Sequence, residues 1–440
     1  MGFFMFAMQL AVVALAIIVG ARLSGVGLGM MGGLGLAVLT FVFGLKPTAP
    51  PIDVMLMILA VITAAAAMQT AGGLDYLVRM AERILRRNPS RVTFLGPLVT
   101  YVFTLFAGTG HVAYSVLPVI AQVARESGVR PERPLSIAVI ASQQAIVASP
   151  ISAATVALLG MLSGQGFELI DILKISLPAT FCGCLIGAAV VNRMGRELVD
   201  DPEYRRRLDA GLVAETGAAE QARLPAGARL SVWIFLAAAL AVVLVGTFPE
   251  LRPAWPTAEG GSDRLSMALA IEMIMLSAAG LIVLACRVEV GRVAQGSVFQ
   301  AGAAAVIAIF GIAWMGDTFF HAHMDYLSAS VQGLVTQAPW LFALALFMMS
   351  VLLNSQAATV RALVPLGMGL GLPGASLIAM FPAVNGYFFI PNYPPLIAAI
   401  NFDTTGTTRI GRWLLNHSFM VPGLVATWSA VAIGWLLVML

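Results

Sequence analysis

The chain has 440 residues, of which 59% are hydrophobic and only 11% charged, with a formal net charge of +3. A mean hydropathy of +0.91 excludes a water-soluble globular domain and implies a polytopic membrane protein. The excess positive charge sits on arginines in short loops, not on a basic face interleaved with aromatics, so nucleic acid is not an expected partner.

Apolar runs long enough to span about 30 Å of hydrocarbon are expected first at 3–20, 26–44 and 52–71. No Lys or Arg precedes Arg22, so the first run lacks the basic region of a cleavable signal and reads as a retained helix. The next two apolar segments, 93–107 and 112–124, flank Gly108-Thr109-Gly110-His111. As helices they would be only about 22 Å and about 20 Å long. Arg79, Arg83, Arg86, Arg87 and Arg91 precede them, and Arg125, Arg130 and Arg133 follow. One crossing would put two basic clusters on opposite sides, against the positive-inside tendency. A re-entrant hairpin over about 92–124 keeps both in the cytoplasm; two ordinary short helices joined by a loop are the alternative.

Residues 135–163 read as a span broken by Ser142-Gln143-Gln144 and Ser149-Pro150-Ile151-Ser152, followed by a further span at 168–191. The three cysteines form no disulfide or metal framework: Cys182 and Cys184 point to opposite helix faces with no His or acidic residue beside them, and read as inert buried thiols. The segment 192–230 carries seven arginines among Asp, Glu and Gly, and is expected to be a solvated cytoplasmic linker between two halves, 1–191 and 231–440.

Five crossings in the first half place the second half in inverted orientation, with both termini periplasmic. Spans are expected at 231–247, 265–285, 298–319 and 414–439, with a second hairpin over about 339–370 and a broken span over 375–400. Letters recur at near-constant shift: Arg22-Leu23-Ser24 returns as Arg264-Leu265-Ser266, Pro118 as Pro365 and Pro150 as Pro394, shifts of 242, 247 and 244. The expectation is an all-α membrane protein of two inverted-topology repeats, each with a re-entrant hairpin and a broken helix.

Polar groups inside apolar runs cost several kcal/mol each when unsatisfied, so the breaks are expected to line a shared site. Four helix N-termini begin there, each carrying roughly +0.5 charge and free N–H donors, which suits a dianion. Gly108 and Gly110 let the backbone approach a ligand. Thr109, Ser142, Gln143, Ser149, Pro150 and Ser152 from the first half face Asn354, Ser355, Gln356, Asn385, Tyr387, Asn392 and Tyr393 from the second, with hydroxyls and amides to complete the hydrogen bonding. The alternative is that these groups only satisfy one another across packed helices. Arg361 has no acidic residue near it in sequence; it either clamps a carboxylate in bidentate fashion or snorkels to the periplasmic interface. His111 either donates to a carboxylate or carries a proton, or bonds a carbonyl. His321, His323 and Asp325 have metal-ligand composition but not the spacing of a shared helical face. One histidine at a hairpin tip is too little for an intramembrane enzyme, and no cofactor or metal is expected.

The strings GTGH at 108–111, RPERPLSIAVIASQQAIVASPISAATVALLG at 130–160, NSQAA at 354–358 and FDTTGTTRIGRWLLNHSFMVPG at 402–423 closely resemble the Dcu family of anaerobic C4-dicarboxylate transporters over essentially the whole chain. The resemblance implies exchange of fumarate, malate, aspartate and succinate across the bacterial inner membrane. It also implies a mobile transport domain formed by the two hairpins, usually in a homodimeric scaffold. Cation-coupled uptake, through Na⁺ or H⁺, is the alternative, and a sensor-protein partner through the cytoplasmic segments is a further expectation.

Overall fold

The computed structural model describes all residues except 1–2, 24–25, 51, 111, 214–223, 257–261, 297, 301, 305, 308–309, 313, 320, 324–337, 354, 392 and 412–414. Among the described residues the chain is helical apart from one antiparallel strand pair, Ala254–Pro256 against Ser262–Arg264. The first half runs α1 (Phe3–Leu23), α2 (Gly27–Ala37, closing in a π-turn over Val38–Val42), α3 (Ile52–Thr70), α4 (Gly73–Arg87), α5 (Val92–Ala107), α6 (Val112–Glu126), α7 (Glu132–Ala148), α8 (Ala153–Leu162) and α9 (Leu169–Val191). A short α10 (Pro202–Asp209) leads to α11 (Ala228–Thr247), α12 (Met267–Cys286) and α13 (Val290–Gln295). The described residues between 298 and 323 are helical and form α14. Then come α15 (Trp340–Leu353), α16 (Gln356–Gly369), α17 (Gly374–Met380), α18 (Pro394–Phe402) and α19 (Met420–Met439).

Among the described residues six helical stretches are long and apolar enough to cross a membrane, α7 and α8 counting as one, and the bent pair α3 and α4 raises this to seven. The chain is therefore an all-α polytopic membrane protein. At its centre stands α7, whose residues Arg133 to Ala148 are all buried, packed against α5, α6, α9, α18 and α19. Thr100 of α5 donates to the Ala138 carbonyl at 3.0 Å, tying α5 to α7. A second packing centre joins α1, α2 and α14 to the facing sides of α15 and α16. There α2 and α14 cross at backbone contact: a Cβ on Gly311 would stand 1.9 Å from the Gly29 carbonyl oxygen, the close approach that small residues allow between membrane helices.

Four features depart from the sequence expectations. Residues 73–87 form a separate helix bent 72° from α3, because Leu77, Ala81 and Leu85 recur every four residues on one buried face while Arg79, Arg83, Arg86 and Arg87 fall elsewhere; the period is amphipathic, not spanning. The final helix starts at Met420, not 414: His417 bridges back to Ile410, and its Nδ1 accepts from the Phe419 N–H at 3.2 Å. The start of the linker is exposed along most of its length but is pinned to the fold at two residues. Leu198 is 2% exposed and Asp201 4%, since Arg130 donates to Asp201 at 2.5 Å and to Glu132 at 2.6 Å, and Arg133 donates to the Met194 carbonyl at 2.8 Å. Asp201 also caps α10 by accepting from the N–H groups of Glu203 and Tyr204. Of the cysteines only Cys184 is buried, while Cys182 faces outward and Cys286 is half-buried.

Candidate functional site

Both polar breaks are built from locally satisfied backbone. At the first, α7 ends at Ser149 and α8 begins at Ser152, whose hydroxyl accepts from the Thr155 N–H at 3.1 Å. The Thr155 hydroxyl reaches back to the Ile146 and Val147 carbonyls, each at 3.4 Å, so the exposed end of α7 is closed by the first turn of α8. Pro150 lies in the turn between them and Ser149 Oγ accepts from the Ile151 N–H at 3.4 Å. At the second, α17 passes into 3₁₀ turns at Phe381–Val384 and Gly386–Phe388 on either side of Asn385, and the chain is helical again from Pro394. Ser355 caps α16, accepting from the Ala358 N–H at 3.2 Å.

The side chains of the two breaks then meet. Asn385, 1% exposed, is the hub: its Nδ2 donates to Gln144 Oε1 and to the Pro382 carbonyl, both at 3.1 Å. Its Oδ1 accepts from Gln356 Nε2 at 3.1 Å and from the Tyr387 hydroxyl at 3.2 Å. Gln356 also approaches Gln143 Oε1 at 3.4 Å, which the Tyr393 hydroxyl reaches at 3.4 Å. The network continues from Gln144 to Thr427 of α19 at 2.9 Å, and Ser142 bonds Thr104 of α5 at 3.1 Å. Tyr387 and Tyr393 pack ring on ring, with centroids 4.5 Å apart.

The turn between α5 and α6 leans on the same place. Gly108 has φ +68° and closes α5, and a Cβ there would lie 3.1 Å from the Ile151 carbonyl oxygen. A Cβ on Gly110 would lie 2.5 Å from Gln143 Nε2, the one network nitrogen that is buried without a partner. Gln143 therefore touches Gly110 on one side and Gln356 on the other, with a free amide N–H aimed at the first tip. Behind the tip, a cavity of about 110 Å³ separates Gly108, Thr109 and Ile151 from Ile58 and Val61 of α3 and Gly302 of α14. Its lining is apolar except at Thr109.

Gln143, Gln356, Asn385, Tyr387 and Tyr393 thus share one network, Ser142 pairs separately with Thr104, and Ser149, Ser152 and Ser355 serve the breaks themselves. His111, Asn354 and Asn392 lie outside the described residues, as does Asp325; His323 bonds Gln9 at 2.5 Å and packs on Phe6 and Phe319. Arg361 stands five residues beyond Gln356 on α16, about 7.5 Å along the axis, at 9% exposure. At that burial it is not an exposed interfacial side chain. Sequence reasoning left Gln144, Thr104 and Thr427 out of the site. Gln144 adjoins Gln143 and carried a signal, but Thr104 and Thr427 are single polar residues in apolar helices and carried none.

The matching family profile, described as an anaerobic C4-dicarboxylate membrane transporter, covers residues 5–440. The chain belongs to that family. It is 46% identical over 432 residues to the C4-dicarboxylate transporter DcuA of Wolinella succinogenes, covering 98% of this chain and 99% of that one. It is 44% identical over 434 residues to DcuA of Escherichia coli strain K12, with coverages of 98% and 99%. Against the anaerobic C4-dicarboxylate transporter DcuB of Escherichia coli O6:H1 it is 39% identical over 442 residues, covering 98% of each. Among solved structures, that of Neisseria gonorrhoeae MtrF, described with a class of antimetabolite efflux pumps, superposes with a TM-score of 0.55 at 13% identity, covering 91% of this chain and 84% of that one. At that identity the likeness is one of fold alone. Membership in the transporter family places the network of Gln143, Gln356 and Asn385 inside a membrane carrier.

Proposed function

We propose that the chain exchanges C4-dicarboxylates such as fumarate, malate, aspartate and succinate across the bacterial inner membrane by alternating access. In this reading, residues 1–191 and 231–440 are inverted repeats joined by the cytoplasmic segment 192–230, and both termini are periplasmic. The helix pairs α5–α6 and α15–α16 are re-entrant hairpins entering from opposite sides. They move with the broken spans α7–α8 and α17–α18 as an elevator-type transport domain, in a homodimeric scaffold.

The observation that carries the reading is Gln143, which touches Gly110 of one tip and Gln356 of the other. Support also comes from the pairing of helix starts: α16 packs on α8, and α18 on α6 and α7. Four N-termini near one neutral, donor-rich network give positive potential without a lysine, which favours a dianion. An empty site with uncompensated positive potential reorients slowly, so each carboxylate pair is exchanged for another.

The test is counterflow in proteoliposomes with labelled succinate. Uptake into succinate-loaded vesicles is expected to exceed uptake into empty ones at least tenfold, with no response to a Na⁺ or proton gradient. Equal rates into loaded and empty vesicles, or dependence on either gradient, would replace exchange by cation-coupled uptake.

A further inference from the structure

The helix α4 lies where two apolar helices end. It connects the end of α3 to the turn before α5, whose apolar run begins at Val92, and it is bent 72° from α3. A helix at that level, turned away from the spanning direction, runs along the boundary between hydrocarbon and headgroups. Leu77, Ala81 and Leu85 are buried and the helix packs on α5, α6 and α11, so its inner face is filled by the protein itself. Its outer face carries Arg83, Ile84, Arg86 and Arg87, all exposed.

The charges on that outer face are unevenly matched. Arg86 donates to Glu82 at 2.9 Å and to Glu126 of α6 at 2.8 Å, and Gln122 also donates to Glu126 at 2.8 Å, so both of these carboxylates are engaged. Asp75 stands about 12 Å back along the axis from Arg83. Arg83, Arg87 and Arg91 are exposed and make no ion pair or hydrogen bond among the described residues. Arg83 and Arg87 share one row of the helix at i, i+4, and Arg91 follows in the 3₁₀ turn Pro89–Arg91. Apolar side chains flank the three. Ile84 lies one turn before Arg87, and Phe94 one turn beyond Arg91 in the start of α5, each 37% exposed. Basic groups in the middle with apolar groups at both ends match a lipid whose phosphate is anionic and whose chains run into the hydrocarbon. A soluble phosphate would gain nothing from Ile84 and Phe94.

We propose that Arg83, Arg87 and Arg91 form a docking site for the headgroup phosphate of an anionic phospholipid, with its acyl chains against Ile84 and Phe94. The site does not depend on what the carrier transports. Guanidinium groups suit it through forked, two-point contact with phosphate oxygens. The ammonium of a zwitterionic headgroup is repelled by the same arginines, which sets anionic lipids apart. Because α4 packs on both α5 and α6, the bound lipid fixes the first helix pair at the bilayer surface.

The experiment uses purified, delipidated full-length protein in detergent, titrated with phosphatidylglycerol, and counts bound lipid by native mass spectrometry. Phosphatidylcholine and inorganic phosphate are the comparison probes. Wild type is expected to bind phosphatidylglycerol about tenfold more tightly than phosphatidylcholine. Arg87→Gln alone is expected to weaken phosphatidylglycerol binding about fivefold, the effect of one arginine at an anionic surface, and Arg83→Gln, Arg87→Gln and Arg91→Gln combined about a hundredfold. A control combining Arg193→Gln, Arg196→Gln and Arg229→Gln removes the same charge from other exposed arginines and is expected to bind as wild type. The lipid-free Tm should not move, since the three side chains are exposed, and Arg87→Gln carries the test if the triple variant does not fold. Equal binding of the two lipids, unchanged affinity in the arginine variants, or an equal loss in the control would overturn the proposal. Full displacement of the lipid by inorganic phosphate would also overturn it, marking a site for a soluble anion.

Discussion

The network around Asn385 and the clasp around Arg130 are both buried and polar, yet they are built from opposite materials. Around Asn385 every member is neutral, the contacts to Gln143 are long at 3.4 Å, and one amide donor has no partner. Around Arg130 the partners are ionised and close: Asp201 at 2.5 Å, Glu132 at 2.6 Å, and Ser418 bonding Glu132 at 2.7 Å. Charge-assisted bonds of this kind are about twice as strong as neutral ones. Neutral amides rearrange at small cost and leave room for an incoming ion. The contrast separates a loosely bonded neutral network from an ionic clasp that ties the start of α7 to Asp201 at the start of α10 and to Ser418.

The comparison breaks most visibly at the hub. Asn385→Leu removes a hydrogen-bond partner from each of Gln144, Gln356 and Tyr387, each loss worth about 1–3 kcal/mol where the group stays buried, and succinate transport per folded protein is expected to fall at least a hundredfold. Uptake by vesicles carrying equal amounts of monodisperse protein measures this, and retention of more than a tenth of wild-type uptake would remove Asn385 from the mechanism. Arg130→Met attacks the other region. It strands Asp201 and Glu132 among buried neighbours and is expected to cost about 3–5 kcal/mol, seen as a lower Tm, while the succinate Kd stays within about twofold. A finer probe is Gly110→Ala, whose Cβ would stand 2.5 Å from Gln143 Nε2, the end of a flexible side chain. The amide swings aside instead of the backbone breaking, so the KM for succinate is expected to rise about tenfold with an unchanged Tm.

The smallest effect is pH-dependent and confined to the clasp. Hydrogen bonds from Arg206 and Arg207 hold the half-buried Glu203 carboxyl at about 2, below its ordinary 4.5. Burial pushes Asp201 up, but the Tyr204 N–H and Arg130 more than offset this and keep it below the ordinary carboxylate value. Both carboxyls are depressed in the fold, so the stability they supply is complete at neutral pH. It is lost only as pH falls through the usual carboxylate range, for Glu203 from about 4.5 towards about 2. Hydrogen exchange of residues 198–209 should stay slow from pH 8 to pH 5 and accelerate below pH 4; acceleration already at pH 6 would mean that other groups hold α10.

Much of this was legible in the letters because apolar length and polar interruption are strong signals in a bilayer. The helices from Phe3, Ile52, Leu169 and Met267 begin within two residues of the expected runs, the interruption at Ser149 is where α7 ends, and that at Asn385 parts the two 3₁₀ turns after α17. What stayed hidden depends on contact between distant segments. The docking of Asp201 on Arg130 joins positions 71 apart in sequence, so the composition of 192–201 gives no sign of it. Thr427 enters the network through packing of α19 on α7 and α9, with no local mark. The helix α4 was concealed for another reason: its arginines read as a loop charge cluster until the four-residue spacing of Leu77, Ala81 and Leu85 is followed.

A dianion bound where Gln143 meets both tips depends on the amide donor that Gln143 offers there. Gln143→Glu tests it most directly, since it keeps the shape of the side chain and replaces the free amide donor by a negative charge at the proposed site. Succinate Kd measured calorimetrically on purified protein is predicted to weaken at least a hundredfold, with a Tm within a few degrees of wild type. Wild-type affinity in well-folded Gln143→Glu protein would place the dicarboxylate elsewhere and leave the network as interhelical packing.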